Sequence, residues 1–421
     1  MMRSRAVLVA VALLATLVPS GEGSAGAPGE DDRSEIQALL DRRAVAFIER
    51  DRSAFLATLD PAAGAELIRQ QTRSFSNAGA ITFASYELVA DWARFGDLSR
   101  PRDNARHAGA EKVLIPLTQA RYRIAGGFDE VDAVEDVYFT FVERDGEWFI
   151  ASDTDLDDMG LYSVRHPWDF GPLTVTRSKH FLALGPGCSS DPSVVCANSD
   201  LLDIAEEALI RTNATWTVPW RGKVVLVVPS SDAALQRMIQ ATFDVGNFVA
   251  FAYATIDPET LDYTGDRVLV NPSVIAGRSR DEVLRILAHE FLHVATRDVS
   301  GPFVPLFVDE GLAEIAGYGG EPGLDFFDAI VAAGSFDDSL PDDFQFSSGS
   351  DIYLSYQKAQ SAVRFFIERW GRQRFITLYR RIGKAKIAPG LATWHVERAL
   401  RRTIGIGLGG FEKAWASSIT S

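Results

Sequence analysis

Residues 289–293 read His-Glu-Phe-Leu-His, two histidines four positions apart with a glutamate directly after the first. If the segment is helical, His289 and His293 project from one face about one turn apart. Two imidazoles so placed can reach a single Zn²⁺ at about 2.0–2.1 Å, and Glu290 beside them can take a proton from a water on that ion. The chemistry this predicts is hydrolysis by an activated water, with Glu290 as general base. The chain has only six histidines, so the pattern is not a by-product of a histidine-rich composition.

A catalytic zinc site wants a third protein ligand and one position left for water. Sixteen residues separate His293 from Glu310 in Val308-Asp309-Glu310-Gly311-Leu312-Ala313-Glu314, enough for a turn and an antiparallel return. Glu310 and Glu314 are again four apart, on one face of a second predicted helix. One of these carboxylates can bind the metal, and the other can accept a hydrogen bond from the outer ring nitrogen of a ligand histidine.

The elements that must hold these residues are well signed. Ser279, followed three residues later by Glu282, makes a capping box ahead of the first helix, and Val283, Ile286, Leu287 and Val294 give that helix an apolar stripe. Upstream, KVVLVVP (223–229) reads as a buried strand, with NFVAFAYATI and DRVLVNP as two more and LTVTRSKHFLALG as strand-like. A helix is expected over about Asp200 to Thr212, and after Ile275 the pattern is almost wholly helical. An edge strand near Phe248–Ile256 would offer free backbone groups to an extended peptide.

The first half of the chain has a different character. Ile36, Leu39, Leu40, Ala44, Phe47 and Ile48 share one helical face, and a second helix is expected over about Ala62 to Phe75. Alternating strand patterns follow and end in a hairpin whose turn is Arg144-Asp145-Gly146-Glu147. Two helices followed by a curved antiparallel sheet make an α+β layer structure. His107 is a lone histidine in a polar stretch, expected at the surface. Asp153, Asp155, Asp157 and Asp158 lack the pattern of a calcium loop and read as a solvated linker. Composition shifts around HPWDFG (166–171), where the boundary between two domains is placed.

Whole-chain properties narrow the field. A formal net charge of −15 makes the chain a poor partner for a phosphate backbone, so nucleic-acid binding is not expected. Arg3 and Arg5, the apolar run Ala6–Val18 and the small residues before Ala25 form a secretory signal peptide over residues 1–25. The run is too short to span a bilayer comfortably, so no stable span is expected after cleavage. Residues 26–32 read as a flexible lead-in. Export to an oxidising compartment makes Cys188 and Cys196, the chain's only cysteines, one local disulfide.

LAHEFLH, PLFVDEGLAE and SYQKAQSAVRFFIERWG together resemble the gluzincin zinc metallopeptidases, specifically the bacterial peptidase-MA-like proteins, over about residues 200–421. The resemblance implies His289, His293 and Glu310 as zinc ligands, Glu290 as general base and Glu314 as the carboxylate behind a ligand. It also implies a tyrosine that stabilises the oxyanion, a place that Tyr356 fits, with Tyr353 as the alternative. Two departures stand out: the gap from His293 to Glu310 is shorter than in the larger gluzincins, and Phe307 stands where the family commonly has Trp. Residues 33–165 resemble the NTF2-like cone in element order, in the opening helix pair and in the GEWFI hairpin; that fold hosts both enzymes and binding modules.

The resulting expectation is an NTF2-like α+β domain (33–165) followed by a gluzincin-type domain (172–421), a small sheet plus a helical C-terminal part. Its expected function is a secreted zinc metallopeptidase acting on a peptide or protein. Two rivals remain. One is a catalytically inactive cell-surface binding protein in which zinc is structural. The other has the N-terminal domain covering the cleft until it is cleaved. His180 and His395 have no partner that the sequence identifies.

Overall fold

The structure, a computed structural model, describes residues 28–188, 196–240, 245–257, 260–346, 351–384 and 392–420. The expected signal peptide, residues 1–25, lies outside the described residues. The protein is a mixed α+β structure with small sheets.

The first helix, α1, spans Glu30–Glu49 and so takes in the last three residues of the expected lead-in. Glu30, Asp31 and Asp32 sit in its first turn, where negative charge suits the positive end of the helix, and Asp32 accepts a hydrogen bond from the Gly29 N–H. The next long helix, α2, runs over Ala65–Ala78, three residues later than expected. Asp60 explains the delay, because its Oδ1 accepts from the Ala62 N–H and holds the Asp60-Pro61 segment in a turn.

Six strands follow: β1 (Phe83–Asp91), β2 (Lys112–Leu114), β3 (Leu117–Ile124), β4 (Ala133–Val137), β5 (Thr140–Arg144) and β6 (Glu147–Ser152). They form two three-stranded antiparallel sheets, β1-β3-β4 and β2-β5-β6, rather than one continuous sheet. The break runs through Pro116, which has no N–H to give, and through Tyr138, whose N–H is taken by Ser163 Oγ. The acidic stretch that follows is not a solvated linker. Asp153 and Asp155 are buried; Asp153 pairs with Arg165 and accepts from Gln71, and Asp155 bonds to His107, Arg106 and Thr140.

The short helix Pro167–Phe170 leads into a five-stranded sheet. Its strands are β7 (Thr174–Arg177), β8 (Phe181–Gly185), β9 (Val224–Val227), β10 (Ala250–Ile256) and β11 (Tyr263–Val270). They lie in the order β10-β11-β9-β8-β7, with β8, β9 and β11 parallel and the two outer strands antiparallel. The strand-like run LTVTRSKHFLALG is thus a hairpin. Its turn is fastened by Glu206, which accepts from Ser178 Oγ and the His180 N–H and lies 2.6 Å from His180 Nδ1. Cys188 and Cys196 are joined in a disulfide.

The helices that matter for the site are α3 (Ser199–Thr215), α4 (Arg280–Thr296), α5 (Leu306–Gly317), α6 (Ile352–Trp370) and α7 (Arg372–Gly383). Among the described residues, no helix is long and apolar enough to cross a membrane.

The five-stranded sheet is buried on both faces, which explains the continuous apolar run at 223–229. Phe181, Ala183, Val224, Leu226, Val268 and Val270 point to one side and pack against α3 and α4. Leu182, Leu184, Val225, Val227, Phe251 and Leu269 point to the other and share a core with Phe47, Phe75, Tyr122 and Trp168 of the preceding α+β unit. The N-terminal unit therefore packs against the sheet on the face opposite α4. A third core, built around Leu312, Ala359, Phe366 and Tyr379, knits α5, α6 and α7 together.

Candidate metal centre

Helix α4 carries the His-Glu-Phe-Leu-His segment. It begins as the capping box indicates: the Glu282 N–H donates to Ser279 Oγ, and Glu282 Oε2 accepts from the Ser279 N–H at 2.9 Å. Val283, Leu287, Phe291 and Val294 press it onto the sheet, while Leu292 and Ala295 face the helical core. Wedged between these layers, His289, Glu290 and His293 are all buried.

Helix α5 returns beside α4 and delivers Glu310. Its Oε2 lies 3.0 Å from His289 Nε2 and 3.5 Å from His293 Nε2. One ligand atom each from His289, His293 and Glu310 can be chosen so that all lie within 4.8 Å of one another. The three residues converge on a common point, as their spacing predicts.

The surrounding groups fix the rings. His289 Nδ1 sits 3.0 Å from Glu314 Oε1, so Glu314 occupies the place behind a ligand histidine. Asp309 Oδ2 lies 3.2 Å from His293 Nδ1, off the line of a hydrogen bond, and Tyr379 donates to Asp309 Oδ1. Sequence reasoning missed Asp309 and Tyr379. The signal for Asp309 was its place immediately before Glu310, from which a second carboxylate reaches the neighbouring turn of α4.

The electrostatics favour a cation. Glu290, Asp309, Glu310 and Glu314 gather four carboxylates around two imidazoles in a buried site. Burial alone would discharge His289, yet its hydrogen bonds to Glu310 and Glu314 prevail and lift it to about 9. Burial pushes Glu290 up to about 7, with the two imidazoles opposing part of the rise. Asp309 falls to about 2, because His293 and the Tyr379 hydroxyl together outweigh its burial.

Several polar atoms also lack partners. Glu290 Oε1, His293 Nε2 and Glu310 Oε1 are buried without a hydrogen bond. A buried acceptor left unpaired costs about 1–3 kcal/mol, and three in one place mark a spot where a bound group completes the bonding. Two imidazole nitrogens and a carboxylate oxygen are the donor set that zinc takes in three-ligand sites. The residues present fit such an ion.

The two tyrosines separate clearly. Tyr356, on α6, is buried with its ring centre 6.3 Å from that of His289, and the carboxylates of Glu310, Glu314 and Glu290 act on its hydroxyl. Tyr353, one turn earlier, directs its hydroxyl to Asp325. The remaining histidines lie elsewhere: His107 pairs with Asp155, His166 lies 3.4 Å from Glu135, His180 pairs with Glu206, and His395 contacts the Arg381 carbonyl. Phe307 is buried in the helical core.

Strand β10 forms the edge of the sheet, as expected, but its outward groups near the site are already engaged. The Val249 C=O accepts from the Asn271 N–H of the neighbouring strand segment, so by alternation Ala252 directs its backbone groups away from β11. The Ala252 N–H donates to Glu290 Oε2 at 2.9 Å, and the Ala252 C=O accepts from Arg297 Nη2 at 3.2 Å. An added peptide finds neither group free at that position.

Comparison with family models and with curated proteins finds no match for this chain.

Proposed function

We propose that the protein is a zinc-dependent metallopeptidase, exported from the cell, that hydrolyses peptide bonds with Glu290 as general base. The observation that carries this reading is the meeting of His289, His293 and Glu310 within 4.8 Å, with Glu290 beside them. The fit of the sequence to the gluzincin pattern supports it, as do the places of Glu314 and Tyr356. The α+β unit ahead of the sheet, with its opening helices and final hairpin, supports an NTF2-like fold for residues 33–165.

His289, His293 and Glu310 would hold the ion. Zinc bound there supplies Lewis acidity, which activates a water and polarises the scissile carbonyl. Glu290 accepts the water proton at Oε1, its unpartnered oxygen, while Oε2 stays on the Ala252 N–H. Burial holds the Glu290 carboxyl above the usual carboxylate range, which favours its taking a proton near neutrality and passing it to the leaving amine. Glu314 and Asp309 keep the ligand rings in place, and Tyr356 offers a hydroxyl to the developing oxyanion. The N-terminal unit, seated behind the sheet, acts as a buttress rather than a cover.

The burial of all three ligands favours a second reading, a zinc staple in a binding protein, since structural sites are closed and catalytic ones keep an opening. One paired experiment separates the two. Metal content is measured per chain, and hydrolysis of a broad peptide panel is compared for the native protein and Glu290→Gln. The enzyme reading expects about one zinc per chain and a loss of roughly 10²–10⁴-fold in the variant. Zinc with no hydrolysis supports the staple, and no zinc at all refutes both.

A further inference from the structure

Arg297 caps α4 at its C-terminal end and is buried, although a guanidinium is costly to desolvate. Its Nε donates to Asp266 Oδ1 at 3.0 Å, its Nη2 donates to the Ala252 C=O at 3.2 Å, and its Cζ lies 4.0 Å from the centre of the Tyr263 ring. Asp266 is held in turn by Arg221, at 3.1 Å. The guanidinium is therefore held from three sides, one of them a single backbone carbonyl on β10.

That carbonyl belongs to the same residue whose N–H holds Glu290. Glu290 and Arg297 are seven residues apart on α4, two turns along the same face and about 10 Å along the axis. Helix α4 thus grasps Ala252 at both of its outward backbone groups. Nothing else described bonds the Glu290 carboxylate; its second oxygen is buried and unpartnered. The base and the guanidinium thus bond the two outward groups of one residue of the edge strand.

Resting on the peptidase reading above, we propose that Arg297 is a positioning residue: by clamping the Ala252 carbonyl it fixes the edge strand that aims Glu290. Asp266 acts through Arg297, because it fixes the guanidinium plane. An apolar side chain of similar size would fill the volume but leave the carbonyl without a donor and the strand free to shift. A charged, forked donor is needed because it satisfies a carboxylate and a carbonyl at once. The same clamp places the docking of an extended substrate away from Ala252 on the β10 edge.

The test uses the full chain loaded with zinc, as the native protein and as Arg297→Met, Arg297→Lys and Asp266→Asn. Arg297→Met is expected to keep native zinc content, since no ligand is touched. Its kcat is expected to fall about 10²-fold with KM nearly unchanged, the scale of a base misplaced by about 1 Å. Amide hydrogen exchange over residues 248–256 is expected to quicken at least about tenfold, with or without zinc, as the edge loosens. Arg297→Lys keeps a charge and a donor but not the fork, so it should recover part of both effects; it also carries the test if Arg297→Met does not fold. Asp266→Asn should show the same changes at smaller size.

Native kcat in Arg297→Met, native exchange at 248–256, or loss of zinc in step with loss of activity would each overturn the proposal. An inactive native protein refutes the peptidase reading instead. In that case the exchange measurement still decides whether Arg297 holds β10.

Discussion

His289 is engaged at both ring nitrogens, by Glu310 on one side and Glu314 on the other, whereas neither nitrogen of His293 makes a hydrogen bond, Asp309 lying 3.2 Å from one and Glu310 3.5 Å from the other. The asymmetry makes Asp309 the more informative position. The Tyr379 hydroxyl donates to its carboxylate and, with His293, keeps it charged. Asp309→Asn is expected to weaken zinc binding about 10–100-fold without unfolding the chain, as read by competition against a fluorescent chelator. Unchanged affinity would show that packing alone orients the His293 ring. At this scale the sequence was informative where chemistry follows from spacing: a step of four positions between the histidines and of four between the glutamates places side chains on one face whatever else the fold does. It was silent about Asp309 and Arg297, because each acts across elements. Nothing in a single chain of letters says that an arginine four residues after His293 will meet a carbonyl on a strand forty-five positions earlier.

The helices hold the site by approaching one another unusually closely. A Cβ at Gly311 would sit 2.7 Å from both the Ala359 carbonyl carbon and Val363 Cγ2, so α5 and α6 touch backbone to backbone one residue after Glu310. One at Gly317 would lie 3.0 Å from the Arg285 carbonyl on α4. These contacts bring Glu310 against α4 and Tyr356 against His289 together. Gly311→Ala must push α6 away and is expected to cost about 1–3 kcal/mol in chemical denaturation, with a larger proportional loss of hydrolysis than of zinc binding. Equal stability to the native protein would mean that the helices part without penalty. Helix existence was readable from caps and apolar stripes, as Ser279 and Glu282 show. The edges of elements were less so, because they depend on turn bonds such as Asp60 to Ala62 and Glu206 to Ser178. The split of the first sheet turned on Tyr138 giving its N–H to a serine twenty-five residues away, which periodicity does not record.

Across the whole molecule, the five-stranded sheet serves two masters. One face seats α4 and the candidate metal site; the other shares a core with the N-terminal unit, crossed by the bidentate pair Arg267–Asp129. The composition shift at 166–171 marks where the chain changes character, but the hydrophobic interior continues through it. Residues 172–421 produced alone would bare Leu182, Leu184, Val225, Val227, Phe251 and Leu269 as one apolar sheet face. That fragment is expected to aggregate or to bind hydrophobic dyes strongly, while the full chain does neither, as size-exclusion chromatography and dye fluorescence would report. A soluble, zinc-loaded fragment would show that the two units associate without depending on each other.

The depth of the three ligands has a kinetic side. His293 is 1 % exposed and Glu310 not at all, so an ion held between them is expected to leave when the seam between α4 and α5 parts. Removal by a chelator is then paced by the protein's own breathing. Its rate should climb with chelator concentration and then level off at a ceiling that shifts with temperature and with Gly311→Ala, and not with the strength of the chelator used.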